Sequence, residues 1–221
     1  MKRLISIILM AALLSLCLTG CGDTRENADK STAKTTKKES FAEKKDADTS
    51  NSQYLTGKHH AEIVIAEYGK LELELDADVA PITVTNFVNL VKKGFYNGLT
   101  FHRIMSGFMI QGGDPNGDGT GGSEETIKGE FKSNGVENTM SHKRGVISMA
   151  RTQNDPDSAS SQFFIVQADS DFLDGDYAAF GKVTAGMDIV DKICQSVQPI
   201  DNNCTVPADQ QPKITAIKVI D

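Results

Sequence analysis

A mainly β domain, a barrel or sandwich covered by two helices, is the fold that residues 58–221 predict. Three observations carry it. Leu71, Leu73 and Leu75 alternate with Glu72 and Glu74 just after a β-rich run, the pattern of an antiparallel hairpin with one wet face. Between Phe95 and Phe180, short apolar runs are repeatedly broken by glycine, as in folds built from many short strands. Two further segments carry apolar residues at helical spacing.

In chain order, Ala61 to Tyr68 forms the first strand, Gly69-Lys70 turns the chain, and the alternating leucines form the second. Pro81 opens a helix on which Val84, Phe87, Val88 and Val91 share a face, with Lys92 and Lys93 in its last turn and Gly94 just past its end. The runs Phe101 to Met105, Phe108 to Gln111, Gly145 to Ala150, Gln162 to Gln167 and Ala178 to Val183 predict the next strands. Met187, Val190, Ile193 and Cys194 mark a second helix, with Gly186 and Asp188 near its start. Ile214, Ala216 and Ile220, interleaved with Thr215 and Lys218, predict a closing strand.

The N-terminal region has a different composition. Lys2 and Arg3 precede a weakly polar to apolar run from Leu4 to Leu18, too short to cross a bilayer comfortably as a permanent helix, so residues 1–20 read as a signal peptide. The run ends in Leu18-Thr19-Gly20-Cys21, which resembles a bacterial lipobox, so Cys21 is the expected lipidation site and mature N-terminus. Residues 21–57 are rich in Lys, Asp, Glu, Ser and Thr, cannot bury enough surface to offset their ordering entropy, and read as a disordered linker. The expected location is the extracytoplasmic face of a membrane. From Lys58 onward, 14 basic residues face 23 acidic ones, which argues against nucleic-acid binding. Cys194 and Cys204 remain, as a disulfide or as two free thiols.

The densest cluster of chemistry runs from Phe101 to Asp114 and reads FHRIMSGFMIQGGD. Strand periodicity sets Phe101, Arg103 and Met105 on one face, leaving a cation among large apolar groups. An arginine paired to a buried carboxylate fits this segment equally well. Ser148-Met149-Ala150 with Ser160-Ser161-Gln162-Phe163-Phe164-Ile165 forms a second cluster, and Phe172-Leu173-Asp174-Gly175 leading to Phe180-Gly181-Lys182-Val183 a third.

These three clusters, in this order, resemble the cyclophilin signature, and the likeness runs from about Ala61 to Asp221. The resemblance implies a closed eight-stranded antiparallel β-barrel capped by two α-helices, and peptidyl-prolyl cis-trans isomerase activity that uses no cofactor and no metal. It makes Arg103 the catalytic arginine with Gln111 beside it. Phe108, Met109, Phe164 and Leu173 then line a proline pocket, and Gln111 with the Ala150-Arg151 backbone holds the substrate chain. His102 supports the site, and Met149, Gln162, Phe172 and Tyr177 complete the substrate-binding set. The implied partners are proline-containing peptides and unfolded exported proteins, met by a monomer held at the membrane through its lipid. Phe172 stands where many members have tryptophan, which argues against strong cyclosporin binding. Tyr177 and Arg151 replace a usual histidine and asparagine, changes that predict altered peptide preference. A groove that captures proline segments with weak catalysis is the rival reading.

Two other patterns carry less. Asp114 to Glu125 fits a calcium-loop pattern, and Gly117, Gly119 and Gly122 fit a nucleotide fingerprint. The flanking helices of the first are missing from the sequence, and the acidic residues of the loop repel phosphate. His59, His60 and His142 are expected at the surface, and no Ser-His-Asp arrangement is apparent from the sequence.

Overall fold

The computed structural model describes residues 53–221; the leader, Cys21 and the linker as far as residue 52 lie outside the described residues. Among the described residues, no helix is long and apolar enough to cross a membrane. Eight strands form one sheet: β1 (Lys58–Ile65), β2 (Gly69–Asp76), β3 (Thr100–Met105), β4 (Met109–Asp114), β5 (Val146–Met149), β6 (Phe163–Val166), β7 (Ala179–Ala185) and β8 (Ile214–Val219). Their order is β3-β4-β6-β5-β7-β2-β1-β8, with antiparallel neighbours throughout. Helix α1 (Pro81–Lys92) follows β2, and α2 (Met187–Ser196) follows β7.

The hairpin forms as its alternation predicts. Ala61, Ile63 and Ile65 lie opposite Leu73, Leu71 and Gly69, and all the large apolar members are buried. On the wet face the Lys70 ammonium reaches the Glu62 carboxylate at 2.6 Å. Helix α1 buries Val84, Phe87, Val88, Leu90 and Val91 against the sheet. Pro81 at its start has no N–H to leave unsatisfied, and Ala80 offers no side-chain cap. The cap arrives from a distant loop: buried Glu130 accepts the N–H of Ile82 at 3.0 Å, the N–H of Thr83 at 2.8 Å and the Thr83 hydroxyl at 2.7 Å. A carboxylate at the positive end of a helix is well placed, and this one ties the long β4–β5 connection to the fold.

Strands β4, β5 and β6 are buried on both faces, and their alternation sorts them into two apolar clusters. Ile110, Ile147, Phe163 and Ile165 join the main core inside the curl, where Phe87, Tyr96, Phe101 and Phe180 pack ring against ring. Met109, Val146, Phe164 and Val166 point the other way, into a second cluster with Leu173 and Ala179. That outward cluster is the floor of the site described below. Near the end of β4, Gly113 turns the chain at φ +84°, and a Cβ there would lie 2.5 Å from the Ser161 carbonyl oxygen, so both conformation and space require glycine.

Three expectations change. The sheet curls without closing: β3 and β8 share no ladder, only an isolated bridge between Thr100 and Lys213. The connection after α2 takes the free edge of β3 instead. Ile104 donates its N–H to the Cys204 carbonyl, and the His102 carbonyl accepts the N–H of Val206. Pro207 and Pro212 have no N–H with which to extend a ladder. Second, Phe101 and Arg103 do not share a face. The register shifts between them, so Phe101 and Ile104 enter the core while Arg103 and Met105 turn outward. Third, a register shift at Val64/Ile65 makes Ile214 and Ile217 the buried residues of β8, and Ile220 is left exposed.

Candidate active site

The β3 bulge sets Arg103 opposite Gln111, at the edge of the outward cluster. Arg103 Nε–H donates to the Asn203 carbonyl at 2.8 Å, and Nη1–H donates to Gln111 Oε1 at 3.3 Å. Gln111 is aimed in turn: its Nε2 donates to Gln162 Oε1 at 2.9 Å, and Gln162 Nε2 donates to the Gly121 carbonyl at 2.7 Å. Every acceptor that holds Arg103 is neutral. Among the described residues, no carboxylate lies within ion-pair distance of it. The carboxylate-paired alternative is thereby removed, and the guanidinium keeps its charge uncompensated beside an apolar wall.

That wall bounds a cavity of 320 Å³ lined by Arg103, Phe108, Met109, Gln111, Ala150, Arg151, Phe164, Phe172, Leu173 and Tyr177. All ten are among the thirteen residues singled out from the sequence. Phe164 is its buried floor, and Tyr177 meets it edge-on at 5.9 Å. Phe172 stands at the mouth, 72% exposed and 5.4 Å from the Phe108 ring. Gln162 lines a second, more polar cavity of 320 Å³ with Gln111, Gly119 to Ser123, Arg151, Thr152, Ser158 and Ser160. Met149 is the exception. It is buried in the main core, because β5 alternation turns it with Ile147 away from the groove.

His102 is buried behind Arg103, and among the described residues neither ring nitrogen has a hydrogen-bond partner. Burial pushes its pKa down, the Arg103 charge adds to that, and Asp114 opposes it. It touches a third cavity shared by Arg103, Asp118, Arg151, Asn203 and Thr205.

His142, expected at the surface, is fully buried under the groove. Its Nδ1–H donates to Asp174 Oδ1 at 2.8 Å, and its Nε2 accepts from the Ser148 hydroxyl at 3.0 Å. Burial lowers its pKa despite Asp174, so the ring is neutral with that tautomer fixed. Burial pushes the Asp174 carboxyl up, but hydrogen bonds from Ser141 and from the His142 backbone and ring hold it below its usual range. An Asp-His-Ser chain thus exists, contrary to the sequence reading. Ser148 is fully buried, however, and the Phe164 ring stacks on His142 at 6.0 Å, so the chain braces the floor of the cavity and offers no nucleophile to a substrate.

The calcium-like loop spends its first carboxylate on itself. Asp114 is buried and accepts the N–H groups of Asn116, Asp118 and Gly119 at 2.8, 3.1 and 2.6 Å. Cys194 and Cys204 are free thiols, the former buried with its pKa pushed up to about 11 by burial.

Asn203 and the turn that carries it are the part of the site that sequence reasoning missed. Cys204 adopts φ +61°, Cys204 N–H donates to the Asp201 carbonyl, and Asp201 Oδ1 accepts the Thr205 N–H at 2.9 Å. The Asp201 carboxyl is held below its usual range chiefly by these Thr205 contacts. A backbone acceptor has no side-chain signature, so nothing in the sequence marks it beyond the turn-forming Asp-Asn-Asn run.

Known proteins resemble this chain over the same region. A family model described as cyclophilin type peptidyl-prolyl cis-trans isomerase/CLD matches residues 60–219. A peptidyl-prolyl cis-trans isomerase of Helicobacter pylori is 48% identical over 129 residues, covering 58% of this chain and 76% of that protein. Peptidyl-prolyl cis-trans isomerase B of Bacillus subtilis is 45% identical over 125 residues, covering 57% and 83%. The crystal structure of a Cryptosporidium parvum cyclophilin type peptidyl-prolyl cis-trans isomerase in the presence of the dipeptide Ala-Pro superposes with a TM-score of 0.64 at 29% identity, covering 73% of this chain and 99% of that one.

If the Asp201 turn holds Arg103, Asp201→Ala will increase the mobility of the Arg103 Nε–H group in NMR relaxation, whereas Asp201→Asn, which keeps an acceptor for Thr205, will not. Equal mobility in the wild type and the alanine variant would contradict the positioning.

Proposed function

The chain belongs to the cyclophilin type peptidyl-prolyl cis-trans isomerase family, and from that premise we propose that Arg103 is its catalytic residue and that the apolar cavity beside it receives the substrate proline. The observation that carries this reading is a guanidinium without a carboxylate partner among the described residues, held by the Asn203 carbonyl and Gln111 at the rim of an apolar slot.

The reaction needs no covalent step. Rotation about an X-Pro amide faces a barrier of about 18–20 kcal/mol because resonance flattens the bond. Uncatalysed exchange takes on the order of 10–100 s, so turnover of about 10²–10³ s⁻¹ requires a barrier lower by roughly 4–7 kcal/mol. As the bond twists, the nitrogen lone pair leaves the π-system and becomes a hydrogen-bond acceptor, which it was not in the planar amide. A donor beside that nitrogen therefore stabilises the transition state and leaves the ground state unaffected. Nε and one Nη of Arg103 are fixed by neutral acceptors, and among the described residues Nη2 has no hydrogen-bond acceptor, so it is available to the nitrogen.

The twisted amide is also less dipolar than the planar one, so the walls formed by Phe108, Met109, Phe164 and Leu173 favour it. A charged hydrogen bond contributes about 1.5–3 kcal/mol, and desolvation with fixed orientation supplies the remainder. Gln111 and the Ala150-Arg151 backbone hold the substrate chain on either side.

We further propose that the substrates are exported proteins, met on the extracytoplasmic face of a membrane to which Cys21 is anchored by lipid. Support comes from Lys2-Arg3, the apolar run that follows and the Leu18-Thr19-Gly20-Cys21 sequence. Radioactive fatty acid will label the wild-type protein and not Cys21→Ala; persistence of label in the variant would refute the anchor.

Arg103→Ala will lose about 10²–10³-fold in kcat/KM on an Ala-Pro peptide with its melting curve unchanged. Because no proton moves, the wild-type rate will be nearly flat between about pH 6 and pH 9, outside the titration range of carboxylates. Near-normal turnover of the variant, or a bell-shaped profile, would point to a different catalytic group.

A further inference from the structure

Among residues 58–221 acids outnumber bases 23 to 14, yet the three adjoining cavities of the groove are lined by two arginines and one carboxylate, Asp118. Asp118 is turned to its own loop, accepting the Thr120 N–H at 2.9 Å and the Thr120 hydroxyl at 2.6 Å. Of the three arginines in this part of the chain, Arg144 is forked onto Asp191 at 2.9 and 2.6 Å. Among the described residues, neither Arg103 nor Arg151 has a carboxylate within ion-pair distance.

Arg151 is nonetheless held firmly. Nε–H donates to the Asp176 carbonyl at 2.9 Å, and Nη1 donates to the Thr152 and Gln153 carbonyls at 2.9 and 3.1 Å. Its guanidinium lies over two rings, 5.1 Å from the centroid of Phe131 and 4.8 Å from that of Tyr177. These contacts fix the side chain without neutralising it, and among the described residues Nη2 has no hydrogen-bond acceptor. Arg151 lines the apolar slot, the polar cavity and the side cavity alike, so this fixed charge stands where a bound peptide passes from one to the next.

We propose that Arg151 determines specificity, selecting substrates that carry a carboxylate side chain close to the isomerised proline. This rests on the isomerase reading and names its substrate class. A preordered guanidinium loses little rotamer entropy on meeting a carboxylate, Arg103 adds charge of the same sign from across the slot, and a lysine in the same place is repelled. Negative charge from the neighbouring residues Asp155, Asp157 and Asp176 keeps the effect modest. Asp157 is committed to the Gly129 N–H and the Asn134 amide.

The test uses the full chain and proline peptides of equal length, with Glu, Gln or Lys placed in turn at each of the two positions before and the two after the proline. NMR exchange gives kcat/KM, and NMR titration gives Kd independently of catalysis. At one or more positions Glu will exceed Gln by about two- to fivefold and Lys will fall below it. The preference will shrink as salt is raised, because an exposed pair is screened. Arg151→Gln will bring the Glu and Gln values together, and Arg151→Lys will keep part of the difference. Equal Glu and Gln values at all four positions in the wild type, or a preference that persists in Arg151→Gln or at high salt, would overturn the proposal. If no peptide is accelerated, the isomerase reading fails, and the Kd ratios still decide this one.

Discussion

The site depends on one constraint: a guanidinium must stand at the edge of an apolar slot, fixed in direction, with its charge left unspent. A carboxylate partner would hold Arg103 as well and would also draw off much of its field. Here the holding is done by the Asn203 carbonyl and by Gln111, neutral acceptors that orient the group without compensating it. The chain of amides from Gln111 through Gln162 to the Gly121 carbonyl fixes which way each amide faces, so the orientation at Arg103 is set two residues away.

The scaffold supports this at several levels. Burying β4, β5 and β6 on both faces yields two apolar clusters, one for stability and one to serve as a slot. The bulge in β3 turns Arg103 outward while Phe101 and Ile104 stay inward. Leaving the sheet open between β3 and β8 frees the β3 edge for residues 204–206, which brings the Asn203 carbonyl to Arg103. Beneath the slot, the neutral His142 ring is pinned between Asp174 and Ser148 and carries Phe164 on its face, which gives the floor a fixed position.

What was legible in the sequence is what local pattern encodes. The hairpin can be read from Leu71, Leu73 and Leu75, both helices from their apolar spacing, and the groove from three ordered clusters, each of which contributes residues to one cavity. The missing parts depend on contacts between distant residues or on breaks in periodicity. Arg103 and Asn203 are separated by 100 positions and meet through a backbone atom. His142 lies in a basic stretch, and only tertiary packing against Asp174 and Phe164 reveals it as buried. Strict alternation groups Phe101 with Arg103 and Ile220 with Ile214, and it fails at both places because a bulge intervenes. The calcium-like spacing from Asp114 to Glu125 belongs to a loop that closes on its own first carboxylate.

The slot and the guanidinium are thus assigned separate tasks, holding the proline and stabilising the turned bond. Measuring Kd and the bound-state exchange rate of one Ala-Pro peptide, by NMR, on the wild type and on Arg103→Gln separates them. The account predicts a Kd within about threefold of the wild type and an exchange rate slower by about 10²-fold or more. Loss of binding in step with rate, or an exchange rate that survives the substitution, would contradict it.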